Sequence, residues 1–113
     1  MEQENQIKPT HKRNLAKAGV NAISEIGKLP PQSIDLEEAV LGAMLLEKNA
    51  VNDAIDILQP ESFYKSEHQK IFTAILELFA SSESIDILSV TERLRKKGEL
   101  QFVGGPGYIA KLT

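Results

Sequence analysis

The sequence predicts an all-α protein, a small orthogonal bundle of about five to six short helices behind a flexible N-terminal arm. Three observations carry that prediction. Apolar residues recur at helical spacing in successive stretches, no alternating apolar–polar run of strand length occurs, and prolines, glycines and N-capping side chains divide the chain into short segments. A chain of 113 residues that is 42% hydrophobic and 26% charged suits one globular domain with one modest core.

Residues 1–29 read as a flexible arm or linker: they carry scattered charges with Pro9, Gly19 and Gly27, and only weak periodicity between Leu15 and Ile26. Pro30-Pro31 is a stiff break, and the domain is expected over 30–113. Asp35 with Glu38 forms a capping box that starts a first helix near Leu36. Its stripe is Leu36, Val40, Leu41, Met44 and Leu45, with Glu37, Glu38, Glu47 and Lys48 facing away. A second helix starts near Asn49, buries Val51, Ala54, Ile55 and Leu58, and stops before Pro60. Phe63 then staples helix two to helix three, while the adjacent Tyr64 either joins it or stays out for a partner.

Ser66 with Gln69 repeats the capping box ahead of the most apolar segment, Ile71, Phe72, Ile75, Leu76, Leu78 and Phe79, which is expected to be the central helix. Ser89 with Glu92 caps a fourth helix over about 90–97, and Gly98 ends it. Pro106 among Gly104, Gly105 and Gly107 opens a last helix bearing Tyr108, Ile109 and Leu112. The sequence stops one or two turns into that helix, which suggests a fragment.

Charge separates by region. Residues 1–28 hold five Lys/Arg against three Glu, a balance of +2, so the overall −3 leaves −5 on the remainder. Duplex binding draws on clustered cations, so this acidic globule argues for protein partners over DNA. The one basic cluster, Arg93, Arg95, Lys96 and Lys97, falls at the C-terminal end of helix four. Cations are favoured there by the helix dipole, and these four are the candidates for nucleic-acid contact. A pairing surface needs exposed apolar groups, for which Tyr64, Tyr108 and Ile109 are the candidates.

No catalytic constellation is visible. The only Gly-Lys pair, Gly27-Lys28, lacks the rest of a phosphate-binding loop. Two isolated histidines, His11 and His68, supply too few ligands for zinc, so neither a metal nor a cofactor is expected in this chain. His68 is expected to make a structural hydrogen bond instead. Gly104-Gly105-Pro106-Gly107 reads as a turn and cap rather than an anion site. Without cysteine or a long apolar run, a cytoplasmic location away from membranes is expected.

The ordered punctuation resembles the amino-terminal domain of DnaB-type replicative helicases. Pro30-Pro31, Ser33-Ile34-Asp35, Glu37 and Val40-Leu41-Gly42 are similar to that family's entry to its first helix, with Asp35 where glutamate is usual. Phe63-Tyr64 and His68 with Ile71-Phe72 follow, with Ser62 in place of an aspartate. Ile85-Asp86, then Leu94, Gly98 and Leu100, then Gly104-Gly105, Tyr108 and Leu112 complete the series over about 30–113. The resemblance implies a non-catalytic head that pairs with its neighbours into a collar on a hexameric ring. With a following helical hairpin, such a head presents a surface to primase and, in some systems, to a helicase loader. It also implies that ATP and Mg bind in a separate domain of the parent, and that DNA is engaged by the parent ring. The competing reading is a free-standing helical DNA-binding or adaptor module.

Overall fold

A computed structural model describes residues 22–23 and 33–113. Among the described residues it contains six α-helices in sequence, one 3₁₀ turn and no strand, so the fold class is all-α as the sequence predicts. The arm expected over 1–29 lies outside the described residues except at Ala22 and Ile23. Those two are helical and buried in the core, which corrects a flexible reading at these positions.

Helix α1 spans Ile34–Leu46. Its cap is Ser33 rather than Asp35, since the Ser33 hydroxyl accepts from the Leu36 N–H at 3.3 Å. Asp35 therefore falls in the first turn, where its charge meets the positive end of the helix dipole. The second half of α1 is buried without interruption from Val40 to Leu45. Glu37, expected to face away from the core, is 0% exposed.

A single extended residue, Glu47, separates α1 from α2 (Lys48–Ile57), whose Ala50, Val51 and Ala54 face inward along with the following Leu58. Pro60–Ser62 forms the 3₁₀ turn, and Phe63 after it is fully buried. The Phe63 ring lies 5.0 Å from that of Phe72 in the following helix, tilted by 39°, which supplies the helix-three side of the expected staple.

Helix α3 (Ser66–Ala80) touches α1, the 3₁₀ turn, α4 and α5, and so occupies the centre as expected. Its buried face is His68, Ile71, Phe72, Ala74, Ile75 and Leu78, while Phe79 turns outward. Ser66 is the first helical residue rather than the cap, and no side chain of Lys65 caps the helix. Helix α4 (Ile87–Lys96) begins three residues earlier than the sequence suggests, because Asp86 and Ser89 form the reciprocal box. Asp86 Oδ1 accepts from Ser89 N at 2.8 Å and Ser89 Oγ accepts from Asp86 N at 2.9 Å. Gly98, at φ +75°, stops the chain after α4 as expected.

A short helix that the periodicity did not reveal, α5 (Leu100–Val103), buries Leu100 and Val103. Gly104, at φ +115°, turns the chain directly into α6 (Gly105–Lys111). Helix α6 packs on α4 and α5, and its end approaches α1 at Gly42. A Cβ on Gly42 would stand 2.2 Å from the Leu112 carbonyl oxygen, so this crossing requires glycine.

Candidate functional site

The most polar interior feature is a chain of four side chains drawn from three helices. Glu37 on α1 accepts backbone hydrogen bonds from Tyr64 N and Lys65 N, so a carboxylate 27 residues upstream does for α3 what a local N-cap does elsewhere. The same carboxylate meets His68 Nδ1 at 2.7 Å, and His68, like Glu37, is fully buried. His68 Nε2 meets the Tyr108 hydroxyl on α6 at 2.6 Å, and Tyr108 Oη donates to Glu38 Oε2 at 2.8 Å. The His68 and Tyr108 rings lie near parallel, 11° apart with centroids separated by 6.0 Å. Lys65 Nζ sits 5.1 Å from the Tyr108 ring centre.

Electrostatics follow from the placement. Burial, then the hydrogen bond and charge of Glu38, push the Tyr108 phenol well above its usual range, with Glu67 and Glu37 adding to the effect. Phenol and imidazole beside two carboxylates are the materials of acid–base chemistry. Glu37 and His68 are nevertheless enclosed by protein, out of reach of any substrate, so the arrangement positions helices. The expected structural bond of His68 is thus present, made with a carboxylate that the sequence reading had turned to solvent. Among the described residues no group of three or more His, Cys, Asp or Glu stands close enough to hold a metal ion.

The three interface candidates separate. Tyr64 is 65% exposed, Tyr108 is half-buried with its hydroxyl committed, and Ile109 is fully buried in the core. Ile109 is therefore corrected from candidate contact to core: its side chain fills the space beneath α6 and presents nothing outward. Exposed apolar side chains that the sequence reading did not single out are Leu88 at 80% and Phe102, with Ile57 and Phe79. Leu88 sits just inside the first turn of α4. Placing the expected cap at Ser89 hid it.

The basic cluster is largely answered from within. Arg93 pairs with Glu77 and Glu83, Arg95 with Glu92, and Lys97 with Glu77 and Glu99. Lys96 is exposed at the end of α4. Acidic residues from α3 and from the segments flanking α4 thus lie against the cations proposed for DNA contact. Among the described residues no helix is long and apolar enough to cross a membrane.

Comparison with known proteins places this helical head. The family model for the DnaB-like helicase N-terminal domain matches residues 29–113. The replicative DNA helicase DnaB of Rhodothermus marinus is 47% identical over 98 residues, which cover 86% of this chain and 10% of that protein. That of Geobacillus stearothermophilus is 44% identical over 86 residues, covering 76% of this chain and 19% of that protein. The crystal structure of the N-terminal domain of DnaB helicase from Mycobacterium tuberculosis superposes with a TM-score of 0.71 at 39% identity, over 74% of this chain and 58% of that one. The fold is thus that of a helical domain found at the N-terminus of replicative helicases. The chain belongs to the DnaB-like helicase N-terminal domain family. It spans between a tenth and a fifth of the length of the curated relatives described.

Proposed function

We propose that this chain is the non-catalytic head of a replicative DNA helicase, which pairs with neighbouring copies to build the collar of a hexameric ring. The observation that carries the reading is the agreement of residues 29–113 with the family domain. It is supported by a surface that keeps single large apolar groups, Tyr64, Leu88 and Phe102, outside a core that is otherwise closed. Primase, and in some systems a helicase loader, are the further protein partners of this reading. DNA is engaged by the parent ring, which acts in the cytoplasm. ATP and Mg belong to the parent's motor domain, and this chain supplies no residue to them.

Tyr64 and Tyr108 are the proposed contact residues, Tyr64 by direct burial and Tyr108 through the placement of α6. The test is sedimentation velocity of the chain across a concentration series, followed by co-sedimentation with the cognate primase. Concentration-dependent association that is weakened by Tyr64→Asp, with an unchanged helical spectrum, supports the reading. A strictly monomeric chain that also fails to retain primase overturns it. The DNA-binding alternative loses ground to the ion pairs of Arg93, Arg95 and Lys97.

A further inference from the structure

The four-residue chain through the interior poses a question of hydrogen count. Its three links, Glu37 to His68, His68 to Tyr108 and Tyr108 to Glu38, span 2.7, 2.6 and 2.8 Å, and each needs one hydrogen between its two heavy atoms. A neutral imidazole brings one hydrogen, a phenol brings one, and two carboxylates bring none. Three links therefore need one proton more than these groups hold when the carboxylates are ionised and the imidazole is neutral.

We infer that the folded chain takes up this proton and that the Glu37–His68–Tyr108–Glu38 chain is a proton-dependent latch fixing α6 to α1 and α3. The count is the same whether the proton rests on the ring or on either carboxyl group. The groups facing it are known on every side. Glu37 and Glu38 come from α1, Glu67 and Lys65 from α3 and the residue before it, and Asp35 and Lys111 line the groove that Glu38 and Tyr108 share. Acidic groups outnumber basic ones there, which favours holding an added proton.

Without the proton one link must open, and the outer one is the weakest. Glu37 is committed to two backbone N–H groups and His68 is sealed in the core, whereas Glu38 is half-buried at a groove of about 240 Å³. Opening there turns the Tyr108 hydroxyl to donate to His68 Nε2 and gives up the direct link between α6 and α1.

The sign follows from linkage. A folded chain that binds one proton more than the unfolded chain loses stability as pH rises, by up to about tenfold in the folding equilibrium constant per pH unit.

The experiment is urea unfolding of the 113-residue chain from pH 6 to pH 9, for the wild type, Glu38→Gln and Tyr108→Phe. Glu38→Gln supplies the third hydrogen from its amide, and Tyr108→Phe leaves one link that a neutral ring can serve. Both variants are expected to flatten the profile relative to the wild type, whichever is the more stable. His11 is present in all three and cancels in the comparison. Parallel profiles for the three proteins, or a wild type whose stability does not fall over this range, overturn the inference. The result is independent of whether the chain assembles into rings.

Discussion

Removing the Glu37 carboxylate strands three donors at once, the backbone N–H groups of Tyr64 and Lys65 and the ring of His68. Breaking a buried polar cluster from one side typically costs about 3–5 kcal/mol, so Glu37→Ala is expected to lose that much in urea unfolding. The exposed Glu47→Ala serves as the control and should stay within about 0.5 kcal/mol of wild type. Tyr108 gives a second residue-level outcome. Its phenol is raised by burial and by Glu38, so the folded chain keeps the phenolic proton to higher pH than the unfolded one. Stability from this source is complete below about pH 10 and is lost as pH climbs beyond it. Tyr108→Phe should blunt the alkaline loss seen by circular dichroism, and an identical alkaline transition would count against the assignment.

Helix ends carry separable contributions. Asp86→Ala removes one half of the box that opens α4 and should cost about 1 kcal/mol, with little change in the slope of the urea transition. Gly98→Ala meets no atom within 4 Å, so its cost is that of the left-handed backbone alone, about 1–2 kcal/mol. Gly42→Ala differs in kind: the added methyl meets a carbonyl oxygen, and the end of α6 must move away from α1. The elements themselves were legible in the sequence because periodicity, Pro60 and Gly98 act locally, and α2 ends where Pro60 requires. Caps were less legible. Ser33, Asp35, Asp86 and Ser89 are all good capping types, and which of two neighbours takes the role depends on where the helix seats. Helix α5 is a single turn, too short to show a period. The burial of Glu37 left no local trace either, since its partners lie 27 to 31 residues away and only tertiary packing brings them in.

At the scale of the whole molecule, acidic residues outnumber basic ones, and among the described residues Arg93, Arg95 and Lys97 of the basic cluster are ion-paired, which bears on behaviour toward DNA. Binding of a short duplex by the isolated chain is expected to be absent at about 150 mM salt. A steep salt dependence abolished by Arg93→Ala with Arg95→Ala would reverse that expectation. The route by which the interior closes has a consequence for synthesis on the ribosome. The ring of His68 is satisfied on one side by a residue 31 positions earlier and on the other by one 40 positions later. A nascent chain that has exposed α1, α2 and α3 can assemble most of the apolar core, yet it holds an imidazole nitrogen with no protein partner until Tyr108 emerges. Closure of the polar chain around His68 thus waits for α6, and a chain arrested before Tyr108 leaves one imidazole nitrogen unmet.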